Sequence, residues 1–314
     1  AAVTAANTDT AVDGCAAGSG ADTITFIAGL AGSTITLTGG QLNLTSTLTI
    51  TGSGVISVSG NNSSRVFNIT SSGVVTLTGL TIRDGKASGG SPSGDGGGIY
   101  NNGGTLVLAA STVVSNTATS GDGGGIFNDS GLVTIDTSNV VANIAGIGGG
   151  VRNYPGGTVT IFASTVASNT AISSGGGLFN SGRVTVDASS VASNTASSAG
   201  GGIYNSSSSS AITLTNGSLI LANKAGSEGG GIYNFNIGNV TIAASTVASN
   251  TANMGSGIYN GSAGSVSLNA STVASNTATN DGGGIYNTGS GSTITLTNSS
   301  QVLANGASNG GGIN

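Results

Sequence analysis

Asp95 and Asp122 each stand immediately before a Gly-Gly-Gly-Ile run, 27 residues apart. Two carboxylates on neighbouring turns of a repeating fold would lie about one strand spacing apart, roughly 5 Å, near the separation that retaining glycosidases use for acid and nucleophile. That separation follows from the repeat itself, and no polar shell for a sugar ring can be read around the pair. An inert turn pair is the leading expectation, ahead of a weak cation site and of polysaccharide cleavage. Asp136 and Asp187 share a second column, interrupted by Phe162, and read as solvated residues. Other chemistry-bearing residue types are scarce. The chain has no His and a single cysteine, Cys15, so no Ser-His or Cys-His nucleophile pair, disulfide framework or metal-binding cluster is expected, and Cys15 reads as inert. The GDGGGI segments lack a following Lys and a readable helix, which argues against a phosphate-binding loop. The expectation is a protein that is not an enzyme and takes no metal or cofactor.

The elements that hold these residues repeat. Asn101, Asn128, Asn153, Asn180, Asn205, Asn234, Asn260 and Asn287 recur in GGGIYN-like boxes every 25–29 residues, and Asn116, Asn143, Asn169, Asn194, Asn223, Asn250, Asn276 and Asn305 form a second series between them. Identical Asn side chains stacked one turn apart can pass amide hydrogen bonds along a ladder and tolerate left-handed corners, so both series read as structural. Sequons such as Asn43, Asn68 and Asn205 are expected by chance in a chain this rich in Ser, Thr and Asn. Beside the first series runs an aromatic column, Tyr100, Phe127, Phe179, Tyr204, Tyr233, Tyr259 and Tyr286, with Arg152 in the third place. An unpaired Arg inside a narrow solenoid would be very costly, so the column is expected to point outward. It would then be an interaction stripe for sugar rings or a neighbouring subunit, with self-stacking of the column or cover by a loop an equal alternative.

Strand signals fill the rest of each unit. Val159 and Ile161 alternate with Thr158, Thr160 and Phe162, the period-two pattern of a strand with one face inward. The same pair recurs from Leu106 and Leu108 to Ile294 and Leu296, and a third inward position runs from Val113 through Val166 to Val302. The Gly triplets precede an inward aliphatic residue, where a corner needs positive φ or two strands pass closely. The fold class expected is all-β: a right-handed parallel β-helix of about eleven coils, each of 25–29 residues with three short strands. Residues 1–22 are expected to be an N-terminal capping segment with a short helix. Residues 23–314 form one domain, irregular to about residue 95. Six basic and 11 acidic side chains, net charge −5 and no basic cluster argue against nucleic acid as a partner. No run of 18 apolar residues suggests a membrane span.

The segments AANTDTAVDGCAAGSGADTITF, ITLTGGQLNLTSTLTI, SGNNSSRVFNI and VTLTGLTIRDG, with the GGGIYN and VASNTA repeats, resemble secreted bacterial and archaeal β-helix proteins defined by a Cys-Ser-Leu-Arg-Glu-Ala motif. The repeats are similar, more loosely, to those of chlamydial polymorphic outer-membrane proteins. The resemblance spans essentially the whole chain and implies a right-handed β-helix that is extracellular or on the cell surface, with any export signal already removed. The defining motif itself is missing, because the chain starts about where its final Ala would fall, so Cys15 lacks the upstream cysteine of that family. The function expected is that of an extracellular structural subunit of a filament or surface layer. Its partners would be copies of itself, joined head to tail through open coil ends, with no membrane span in the chain. A surface adhesin that binds glycans is the alternative, ahead of a polysaccharide-acting enzyme or an ice-binding protein. Thr112, Thr165, Thr246 and Thr272 share a column that would suit ice, but Asn139 and Ser190 interrupt it.

Overall fold

The structure, a computed structural model, describes residues 1–314 apart from the side chain of Val55. Among the described residues the strands run parallel and stack in three sheets of 20, 10 and 7 strands. A regular coil lays down Thr158–Phe162, turns a corner into Thr165–Ala167, and continues through Thr170–Ala171 to Leu178–Asn180. The first two segments belong to the 20-stranded sheet, which bends at that corner, and the others to the 7- and 10-stranded sheets. The molecule is a parallel β-solenoid. Its 10-stranded sheet runs from Leu42–Leu44 to Ile285–Asn287, which gives ten turns. An eleventh coil is begun by Thr293–Thr297 and Gln301–Leu303 and reaches that sheet only through a bridge between Ile285 and Ile313.

The inward alternation holds in register from coil to coil. Val133 pairs with Val159, Val159 with Val184, Val184 with Ile212, Ile212 with Val240 and Val240 with Val266. Each inward pair from Leu106 and Leu108 to Val266 and Leu268 is at most 2% exposed, and Val113 to Val273 are fully buried. Burying each such side chain stabilises the stack by about 1.5–3 kcal/mol, a gain no single coil could secure alone. In the last coil the same row is uncovered: Ile294 and Val302 are half-buried and Leu296 is 39% exposed.

Corners use two devices. In Gly148-Gly149-Gly150 the first glycine takes φ +65°, while a Cβ on the second would meet the carbonyl oxygens of Thr170 and Gly176 at 2.5 and 2.6 Å. Both reasons anticipated for the triplets therefore operate, at successive positions. The other corners place non-glycine residues in the left-handed region, Ala163 at φ 46° and Ser168 at φ 55°, with counterparts in neighbouring coils. The expectation that the Asn residues themselves occupy such corners is corrected: the left-handed residue is the one before each second-series Asn, and its turn swings the Asn side chain inward. At the N-terminal end, helix Ala2–Thr8 buries Ala5 and Ala6 over the first coil. The early coils are less regular, and Leu48–Ser59 runs through the corner as one bulged strand.

Candidate functional site

Two amide ladders follow the solenoid axis. From Asn101 to Asn260 and from Asn116 to Asn276 each Asn is at most 1% exposed. In the first series every Nδ2 donates to Oδ1 of the Asn one coil on at 2.7–2.9 Å. In the second the distances are 2.9–3.0 Å. Here the backbone N–H of each Asn donates to that same Oδ1, which fixes the orientation of every amide. All amide dipoles thus point one way. Gly85 N–H caps the acceptor end of the second ladder at Asn116 Oδ1, whereas Asn101 pairs with Ile69 and its Oδ1 is buried without a partner. Asn205 lies inside a ladder and is closed to a glycan, while Asn43 is exposed and accepts from Asn68.

A third ladder escaped the sequence reading. Ser111, Ser138, Ser164, Ser189, Ser218, Ser245 and Ser271 are all at most 5% exposed. Backbone N–H groups donate to the Ser hydroxyl of the next coil, as from Ser138 to Ser164 at 2.9 Å and from Ser164 to Ser189 at 3.0 Å. The signal was present, since each Ser stands two residues before the inward Val or Ile, but in so Ser-rich a chain it does not stand out.

Asp95 and Asp122 are brought to adjacent coils, as their spacing predicts, yet they serve different partners. Asp95 is 2% exposed, and its Oδ1 accepts the backbone N–H of Asp122 at 2.9 Å. The Asp122 carboxylate turns to Arg152, with Nε to Oδ2 at 3.2 Å. Burial raises the pKa of Asp122, Arg152 opposes that rise, and Asp95 adds to it. Arg152 is 8% exposed and far from unpaired: it donates to Ser181 Oγ and to its own neighbour's carbonyl at Asn153, and its guanidinium covers the ring of Phe179 at 4.3 Å. Arg65 has the matching role over Tyr100, with its guanidinium 4.9 Å from the ring centre, and donates to Gln41 and to the carbonyl oxygens of Pro92, Ser93, Asp95 and Gly96. Burial lowers the pKa of both arginines. The arrangement is an interlocked set of charges that seals one flank. Among the described residues no three His, Cys, Asp or Glu side chains converge, and no helix is long and apolar enough to cross a membrane.

The aromatic column lies outside the core cluster, on the face opposite the inward Ile and Asn, but it is not a bare stripe. Tyr100 and Phe127 are 6% and 4% exposed, and the Tyr100 hydroxyl donates to Asp129 at 3.0 Å. Phe179, Tyr204, Tyr233, Tyr259 and Tyr286 are half-buried because each ring covers the next, with centroids 4.4, 4.7, 4.9 and 5.3 Å apart. Self-stacking, one of the anticipated arrangements, is what these rings do. The rings that stand out furthest are ones outside the column: Tyr154, Phe162 and Phe235, at 44%, 46% and 39% exposed. Burial raises the pKa of Tyr204, Tyr233 and Tyr259, and the nearby charge of Glu228 adds to the rise. No family model, curated protein or solved structure matches this chain.

Proposed function

We propose that the protein is a non-enzymatic structural component of the cell exterior, a stiff rod whose coils stack onto those of further copies head to tail. The observation that carries this reading is the uniform polarity of the two Asn ladders. A chain of amides that all donate in one direction resists bending and shear along the axis, and its last members, Asn287 and Asn305, keep donor capacity that another coil in register would take up. Asn305 makes its bond back to Val273 but lacks the forward bond that every earlier member of its series makes. Around it the inward row of Ile294, Leu296, Val302 and Ile313 is open. At the opposite end, Ile24, Phe26, Leu42 and Phe67 line a cavity of about 370 Å³ beneath helix Ala2–Thr8, a short helix held by Val3, Ala5 and Ala6 and by hydrogen bonds of Asn7 with Asn43, Thr45 and Ser46. In this reading that helix yields to the last coil of the neighbour, whose strands extend the ladder.

A further coil of the same chain would meet the same need, and imaging separates the two sources. Native material should show long unbranched rods many times the length of ten turns, and the purified 314-residue polypeptide should associate end to end as its concentration rises. A polypeptide that stays monomeric at high concentration sinks head-to-tail stacking. A second reading, a glycan-binding surface protein, is favoured by the outward rings of Tyr154, Phe162 and Phe235, which are 39–46% exposed although Tyr154 packs on Phe127 and Phe235 on Tyr233. Retention on polysaccharide that is lost when all three become Ser would move the weight to it.

A further inference from the structure

Four tyrosines of the column, Tyr204, Tyr233, Tyr259 and Tyr286, occupy successive coils in strict register. Their neighbouring rings are 4.7, 4.9 and 5.3 Å apart between centroids and inclined by only 20–31°. Among the described residues their hydroxyls have no hydrogen-bond partner, in contrast to that of Tyr100, and the ring edges reach solvent. The rest of the chain offers few competitors for an oxidant: there is no Trp or His, one Met and one Cys, Cys15 belongs to the segment at the far end of the solenoid, and of the two other tyrosines Tyr100 is buried and only Tyr154 is exposed. Each of the four stacked phenols already lies against another phenol, whereas Tyr100 and Tyr154 lie against Phe127.

We propose that Tyr204, Tyr233, Tyr259 and Tyr286 form an oxidative cross-linking site, where a one-electron phenol oxidant such as a haem peroxidase with hydrogen peroxide joins stacked neighbours and locks successive coils covalently. Each of two adjacent phenols gives up one electron and its hydroxyl proton, leaving two tyrosyl radicals. These couple between ring carbons ortho to the oxygens. One C–C bond forms, two C–H bonds break, and the two ring protons return to the phenol oxygens. The two electrons and two protons lost overall reduce one hydrogen peroxide to two waters. The backbone already holds each pair of Cα atoms as direct partners in a parallel sheet, so coupling asks only that the two radical rings rotate out of their face-to-face stack until the ortho carbons meet edge to edge. It bridges residues 26–29 apart in sequence, so it closes one full coil against unwinding. The site stands on ring geometry alone and holds whether the rod is a filament subunit or a glycan binder.

The test treats the folded chain with horseradish-type peroxidase and hydrogen peroxide, reads dityrosine fluorescence, and maps the cross-linked peptides by mass spectrometry. Expected are links 204–233, 233–259 and 259–286, with a yield per chain that does not change on dilution. Tyr233→Phe, which keeps the stacked ring, should remove the first two links and spare the third. Tyr100→Phe should change none of them. The thermal midpoint of the oxidised protein should rise. Links that involve Tyr100 or Tyr154 as often as the column, links that vanish on dilution, or an absence of dityrosine would each overturn the proposal.

Discussion

The two halves of the aromatic column occupy one register position and live in different surroundings. Tyr100, Phe127, Arg152, Phe179, Tyr204, Tyr233, Tyr259 and Tyr286 are direct partners from coil to coil. In the first half the Arg65 side chain, held by the carbonyl oxygens of Pro92 and Asp95, closes over Tyr100, and Arg152 closes over Phe179. In the second half each ring is covered by its neighbours in the stack, with Phe235 alone set beside Tyr233 at 5.9 Å. The comparison separates two quantities that sequence periodicity merges. Register decides which way a side chain points, whereas loops and long charged side chains from other coils decide whether water reaches it. The covered half behaves as a satellite of the core stitched by polar bonds, and the open half as a stack of rings whose edges reach water.

The largest effect sharpens that contrast at two adjacent residues. Ile203 is fully buried while Tyr204 is half-buried, so Ile203→Asp places an unpaired carboxylate in the core and should cost more than about 4 kcal/mol, abolishing cooperative melting. Tyr204→Asp should cost about 1–2 kcal/mol, chiefly from the lost stacking. Equal midpoints for the two variants in urea melts would break the inward-outward assignment. Next in size, Arg152→Ala strips the partner from Asp122 and uncovers Phe179, a loss of about 3 kcal/mol, the lower end for a buried pair because Asp122 is partly open. Adding Asp122→Asn should recover much of that loss. No recovery would mean that the arginine acts through packing and not through charge.

The smallest effect concerns the hydroxyls. Tyr100→Phe removes a bond to a carboxylate and should cost about 1.5 kcal/mol, whereas Tyr286→Phe should lie within about 0.5 kcal/mol of the parent. Burial, followed by the bond to Asp129, pushes the Tyr100 phenol up to about 12. A pKa raised on folding stabilises the folded state fully below the ordinary phenol value of 10.0 and loses that contribution as pH climbs through about 12. The parent should therefore lose stability over that alkaline window, and Tyr100→Phe should lose less. Parallel curves for the two proteins, measured by denaturant melts across the window, would remove Tyr100 from the polar seal.

Much of the fold was legible because a solenoid repeats its physics. The inward pairs, the third inward row and both Asn series were readable from spacing alone, since any residue that meets its own copy every coil must suit that contact. The Ser ladder was equally periodic but was hidden by the abundance of Ser, and most left-handed corners fell on Ser and Ala, residue types that carry no such signal. The fate of the aromatic column was not legible in the same way. Its cover comes from Arg65, anchored on the turn at Pro92 and Ser93, a longer connection than the later coils have and so without a repeat from which to infer its path.

What the sequence by itself determined is the class of fold, the core register and the identity of the amide ladders, because each is set by nearest-neighbour contacts between like residues and needs no knowledge of distant loops. What only the tertiary structure decided is the pairing of Arg152 with Asp122, the division of labour between Asp95 and Asp122, and the split of one aromatic column into a sealed half and an open one. These depend on where long side chains and irregular segments come to rest in three dimensions. Periodicity fixes direction along the stack, but cover is supplied by residues the period does not contain.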